Sequence, residues 1–278
     1  MNTTLNISIH RRSFCAVLAT LSSVLAAGNC GAVTINLGTA ASFAVLAGST
    51  VTNTGPTVIG GNVGVAPGTA ITGFPPGIVT PPYVIHSADA VALQAQSDLT
   101  IAYNVAAGLA PTGTLTGTDL GGLTLLPGVY FFASSAQLTG TLTLDAQGNP
   151  DSEFIFQIGS TLTTASASMV SLLNGASNCN VFFQVGSSAT LGTGTDFTGN
   201  ILALTSISLN TGATLDGRAL ARNGAVTLDS NVIQPSDCHT ESVPETGNTV
   251  FLFAAGLIGL MSFRKLRPSM PVAPASAR

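Results

Sequence analysis

Residues able to do covalent or acid–base chemistry are few and scattered in this sequence. The closest pair of carboxyl groups, Asp151 and Glu153, sits in a Gly-Asn-Pro turn that reads as an exposed loop. Glycoside hydrolysis needs two carboxyls facing each other across a groove, and a loop pair does not supply that. His86 has no visible partner, and Ser and Thr are so frequent that no nucleophile stands out. The chain therefore reads as a non-enzyme without a cofactor. A metal site is not expected either: there are 3 His, and only His239 lies near a cysteine of the body. Threonine is what recurs at fixed places. Short Leu-x-Thr-small cells stand at Leu162-Thr163-Thr164-Ala165, Leu191-Gly192-Thr193-Gly194 and Leu209-Asn210-Thr211-Gly212. A threonine carries one hydroxyl and one methyl on a stiff β-branched stem. Repeated on a regular grid, that pair of groups can hold water by hydrogen bonds while its methyls keep the water ordered, so the chemistry is non-covalent.

Such a grid needs a scaffold that repeats. Phe156-Gln157-Ile158-Gly159-Ser160 returns as Phe183-Gln184-Val185-Gly186-Ser187, 27 residues later. Strand-sized repeats at this period signal a solenoid, in which each coil stacks on the next. About three short strands fit in one period, which predicts a three-sided coil with parallel neighbours roughly 4.8 Å apart and alternate side chains in and out. Strand candidates include 128–132, 141–144, 154–158, 180–185, 201–204, 206–209 and 225–228. One segment differs. From Ser87 to Leu109 the chain is Ala-rich and lacks Gly and Pro until Gly108. Val91, Ala95, Leu99, Ala102 and Val105 recur there at helical spacing, which predicts a helix over about 87–109 with Ser87 as its N-cap. The fold class expected is all-β dominated, a single domain with one α-helix packed alongside. The paired Phe-Gln cells are expected in the core and its turns. Arg218 and Arg222 are expected to be solvated or salt-bridged near Asp216 and Asp229.

Charge closes one class of partner. Only 7% of the residues are charged. Between Val33 and Thr240 the basic residues are Arg218 and Arg222 alone, against ten acidic ones. Nucleic acid requires a basic footprint, so it is excluded. Both ends carry signals. Residues 1–32 read as a secretory signal peptide: His10-Arg11-Arg12, then apolar Phe14 to Ala27, then small residues with cleavage in the window 26–32. Residues 241–278 read as a tail: Val243, Pro244, Glu245, Thr246 and Gly247, then apolar Val250 to Phe263, then basic Arg264-Lys265-x-Arg267. This arrangement resembles the tails cut by exosortases and sortases. It implies a sorting peptidase and the membrane as partners, and a secreted or cell-surface body at 33–240. Outside the cytoplasm, Cys179 and Cys238 are expected to pair.

The body also resembles the secreted microbial ice-binding proteins built on a discontinuous β-solenoid with an adjoining helix. The landmarks are Asn36-Leu37-Gly38-Thr39-Ala40, Ser42 to Gly48, Gly60-Gly61-Asn62-Val63-Gly64-Val65, Leu126-Pro127-Gly128-Val129-Tyr130, Phe154 to Ala165, and Gly217 to Asp229. The resemblance covers about Val33 to Ile233. It implies a right-handed three-sided solenoid, a monomer, and one flat face that adsorbs to ice. Several members carry a Thr-[Ala/Gly]-x-[Thr/Asn] cell on that face. The matching stretches here begin at Thr164, Thr193 and Thr211, with a weaker one at Thr139. The face residues expected on this basis are Thr139, Thr141, Thr164, Ser166, Thr193, Thr195, Thr211 and Thr214. The other reading is a surface or matrix adhesin, or a structural protein, on the same fold without ice activity.

Overall fold

The computed structural model describes residues 35–236 and Cys238. The signal, the sorting tail and residues Val243 to Gly247 lie outside the described residues. The described chain is built from short parallel strands and one helix, with every strand pair parallel. The strands form three sets, one per side of a coil. The helix face runs through Gly113–Thr114, Gly128–Phe132, Phe154–Ile158 and Val181–Val185, then Asp196–Ala203 and Thr214–Ala221, then Phe43–Ala47, Asn62–Val65 and Ile85–Ser87. A second set makes a seven-stranded sheet, the open face. The third, mixed face holds Thr124–Leu125, Thr141–Asp145, Met169–Leu173, the first halves of the two eight-residue strands, Val232–Ile233, Val58–Ile59 and Ile78–Val79.

The 27-residue repeat is one coil. Phe156 lies over Phe183 and Gln157 over Gln184 in register. The next coils are shorter: Phe183 pairs with Ile201 and Ile201 with Ala219, 18 residues apart each time. The difference lies at the vertex between mixed and helix faces. The longer coils carry lobes there, ending at Ser152 and at the 3-10 turn Asn178–Asn180. The short coils cross it within a single strand that bends at Gly199 (φ 126°) or Gly217 (φ 151°). A Cβ on Gly217 would stand 2.0 Å from the Gly199 carbonyl oxygen, so that vertex admits no side chain.

The stack is discontinuous. Phe43–Ala47 pairs with Thr214–Ala221 (Val45 with Ala219, Leu46 with Leu220), so coils from the N-terminal segment finish a pile that C-terminal coils built. The chain must then travel back along the pile, and the helix Ala90–Gly108 does this. Its 19 residues rise about 28 Å, the depth of about six stacked strands. Ala95, Leu99, Ala102, Tyr103 and Ala106 pack on Leu46, Leu220, Leu202, Phe182 and Ile155, which are outward residues of successive coils. The N-cap is Asp89, whose carboxylate accepts from Ala92 N at 2.8 Å. Ser87, expected in that role, ends a strand, and its hydroxyl donates to the Thr69 carbonyl. Val91 faces solvent and Ala92 takes its place in the buried stripe. Gln157 reaches the other end, donating to the Ala106 and Leu109 carbonyls at 2.8 Å each and so capping the helix C-terminus. Inside the coils, Tyr130, Phe156, Phe183 and Phe197 follow one another with ring centroids 5.6, 4.5 and 4.8 Å apart.

Arg218 departs from expectation. It is buried, donating from Nε to the Ala41 carbonyl (2.8 Å), from Nη1 to Asn200 Oδ1 (3.0 Å) and from Nη2 to the Ser236 carbonyl (3.2 Å). Its planar fork suits several fixed acceptors at once. Arg222 is half-buried, with its guanidinium 4.7 Å from the centre of the Tyr103 ring. Cys179 and Cys238 form the expected disulfide.

Two outcomes follow. Gly217→Ala should cost about 3 kcal/mol in chemical denaturation, because the Cβ meets backbone and the φ is one an L-residue rarely adopts. Acid should also unfold the protein in a defined window. Asp98 is held below the ordinary aspartate value of 3.8 by the Thr39 hydroxyl and N–H, and Asp89 by Ala92 N–H and then His86. Depressed carboxylates stabilise the fold fully above 3.8 and lose that contribution as pH falls through their lower folded values. The melting temperature should thus decline below about pH 4. Asp98→Asn should start lower at neutral pH and decline less steeply on acidification.

Candidate functional site

A groove of about 580 Å³ lies on the mixed face, lined by Tyr83, Asp196, Thr214, Asp216, Val232 and Gln234 among others. Its polar groups are engaged locally: Thr214 donates to Asp196 (2.8 Å), and Asn178 donates to Asp216. No group of three His, Cys, Asp or Glu able to hold a metal occurs among the described residues. His86, which had no visible partner in the sequence, meets Asp89 with Nδ1 and Oδ2 2.7 Å apart, and its ring stands 5.4 Å from that of Phe43. That places it at the helix N-terminus, beside the cap. Asp151 is exposed, whereas Glu153 is half-buried, which pushes its carboxyl above the usual range although Ile35 N–H pulls it back.

The open face is different in kind. Its strands are Ala136–Leu138, Leu162–Thr164, Ala189–Leu191, Ile207–Leu209, Val226–Asp229, Thr50–Thr54 and Ala70–Thr72. In the first six an outward residue stands between two inward ones, and in Ala70–Thr72 Ile71 turns inward between two outward ends. The outward residues stand in register as one unbroken column: Gln137, Thr163, Thr190, Ser208, Thr227, Thr52 and Thr72. All are exposed or half-exposed. Two positions before these residues, at the start of each strand or just ahead of it, stand Ser135, Thr161, Ser188, Ser206, Ala225, Thr50 and Ala70, a second column also exposed or half-exposed. Thr161 donates to Ser135 Oγ across the coils at 2.8 Å. Neither column contains a charge. Rows along a strand lie about 6.6 Å apart and rungs about 4.8 Å apart, which makes a flat grid of hydroxyls and methyls. On the mixed face the matching column reads Thr141, Met169, Asp196, Thr214, Val232, Val58 and Ile78, a mixture of charge and bare aliphatic carbon.

The eight residues expected from the sequence fall in four places. Thr164 and Thr195 are buried, their hydroxyls 2.8 Å apart, with Thr164 Oγ1 also accepting from Gly192 N. Neither side chain reaches solvent, which corrects the expectation for both. They satisfy the peptide groups of the turn that leaves the open face. Ser166, Thr193 and Thr211 are exposed at the tips of successive copies of that turn, and Thr211 donates to Asp229. Thr139 is exposed just before such a turn, where its N–H donates to Asp119. Thr141 and Thr214 lie beyond the turn, on the mixed face. The sequence reading thus reached the rim of the grid and missed its columns. The missed signal was the middle residue of each Leu-Thr-Thr or Ala-Thr-Leu strand, where small or apolar neighbours on both sides mark a residue that points out.

Residues 45–234 match the model of the Ice-binding-like family. The chain is 58% identical over 236 residues to the ice-binding protein of Nostoc sp. (strain HG1), covering 82% of this chain and 86% of that one. It is 38% identical over 227 residues to the ice-binding protein of Colwellia sp., covering 77% and 88%. Among solved structures, the crystal structure of an ice-binding protein from an Antarctic biological consortium superposes with a TM-score of 0.71 at 50% identity, covering 73% of this chain and 92% of that one. An ice-binding protein from Arctic yeast, whose structure was described as the basis of its antifreeze activity, superposes with a TM-score of 0.68 at 33% identity, covering 76% and 97%. With the family model spanning most of the solenoid, and relatives matched over most of their own length, the chain belongs to the Ice-binding-like family.

Proposed function

We propose that this protein binds ice through the open face, outside the cytoplasm, and so inhibits ice growth or recrystallisation. The observation that carries this reading is the uncharged, in-register column from Gln137 to Thr72. On the five threonine rungs, Thr163, Thr190, Thr227, Thr52 and Thr72, the hydroxyl offers one donor and two acceptor sites to water, and the methyl beside it restricts where that water sits. Each water contact is weak, but the rungs act together, so desorption requires all of them to break at once. A charge on the grid would orient water around itself. Two acidic side chains stand at the edges: Asp119, which bridges Gln137 at the end of the column and accepts from the Gly121 and Thr139 N–H groups, and Asp229, bonded to Thr211 and Ser230. The same reading takes the segment from Val243 to Arg267 as a sorting tail that a peptidase and the membrane use to hold the body at the cell surface.

Tyrosines at the two central rungs should abolish thermal hysteresis. In Thr163→Tyr/Thr190→Tyr the rings stand on the columns and lift the face from a flat crystal, while the core below is untouched. Thr193→Tyr/Thr211→Tyr at the turn tips should keep most of the activity. Full activity in the first variant, with folding checked by circular dichroism, would reject the open face. A wild-type protein that is excluded from ice would instead favour the adhesin reading. Thr195→Val should cost about 1 kcal/mol by leaving its partners one bond short, and should leave hysteresis unchanged in the folded protein.

A further inference from the structure

The chain enters and leaves the described body at the same vertex. At the entry, Ile35 N–H bonds to Glu153, in the lobe joining the mixed face to the helix face. At the exit, Cys238 is bonded to Cys179, in the next such lobe, and Asn178 Nδ2 donates to Ser236 Oγ at 2.7 Å. In a three-sided coil this vertex lies opposite the open face. Between the two points sits Arg218, which holds the Ala41 carbonyl near the entry and the Ser236 carbonyl near the exit with one buried guanidinium. The last strand before the exit, Val232–Ile233, has only two residues, so ladder bonds alone give the chain end little purchase. The disulfide bypasses it. Cys179 lies between strands Met169–Leu173 and Val181–Val185, in the middle of the pile, 59 residues back.

We propose that this vertex is a mechanical attachment point: tension on the chain beyond Cys238 passes through the disulfide into the central coils, so that the body can be held from behind while the open face stays on ice. The inference rests on the reading of the open face and the tail given above. A pull along the peptide alone would peel the terminal strand one residue at a time. Routed through Cys179, the same pull must shear several full-length parallel strands together, and shear loads many hydrogen bonds at once.

Single-molecule pulling on the full chain tests this without ice. One handle is placed at exposed Ser97 on the helix. The other is placed at the C-terminal end in one set of molecules and at the N-terminal end in another. Reducing the folded protein in place should lower the first rupture force in the C-terminal geometry. It should also release up to 59 further residues, about 200 Å of chain. In the N-terminal geometry the first rupture force should not change. An unchanged first rupture force through the C-terminal end would overturn the proposal. An equal drop in both geometries would overturn it too, since the bridge would then be a general stabiliser. The Cys179→Ser/Cys238→Ser variant should reproduce the reduced behaviour. Beads coupled through the C-terminal end and failing to capture ice, with the force result intact, would reject the open face and leave the clamp standing.

Discussion

Parallel pairing in strict register is the constraint on which everything else here rests. A strand slipped by one residue would turn Thr163 inward and bring Leu162 and Thr164 to the surface, and no other interaction in the coil could compensate. Register is enforced by what fills the inside. The stacked Phe156 and Phe183 rings, nearly parallel at 6°, accept only one offset between their coils. Leu191, Leu209 and Leu228, in register, repeat the condition on the other side of the core. The outer columns are thus a projection of the inner ones, and the grid on the open face is regular because the core is.

The corners carry the polar cost of that arrangement. A coil must turn three times, and each turn buries peptide groups that water cannot reach. Asn200 donates to the Asn178 and Val181 carbonyls, Asn231 to those of Asn210 and Ala213, and Asn53 to those of Gly55 and Gly73. At the turns beside the open face Thr195 and Ser168 donate to the Ala165 carbonyl, Ser168 also to that of Leu138, and Thr164 accepts from Gly192 N–H. Tight, internally satisfied corners on that side keep the sheet's edges from bulging above its plane. The large insertions lie at the opposite vertex, where 27-residue and 18-residue coils can follow one another without disturbing the face.

Much of this architecture was legible because it depends on periodicity. The repeat located the coils, the 3- and 4-residue spacing from Ala95 to Ala102 located the helix, and extracellular cysteine chemistry paired Cys179 with Cys238. The candidate site was half legible. Its threonine-rich segments were found, but strands of three residues between sharp turns reset the in–out alternation each time. Thr163 and Thr164 therefore look alike in sequence, and only one faces out. Long-range partners were beyond reach: Arg218 meets Ala41 across 177 residues, so its burial left no local trace. The His86 contact was within reach, three residues from Asp89, and became visible once Asp89 rather than Ser87 proved to cap the helix.

The discontinuity of the stack has a bearing on how the chain is made. Phe43–Ala47 is among the first segments of the body to be synthesised, yet its neighbour on one side, around Leu220, comes near the end. A nascent chain has nothing to cover that strand and no pile for its helix to lie along. Closure waits for the whole sequence, and loops of such length are slow to close. On the proposal that the body works outside the cytoplasm, that delay is useful, because a translocation channel needs an extended chain. The topology that gives the finished solenoid its continuous wall also keeps the unfinished one unfolded until it has somewhere to fold.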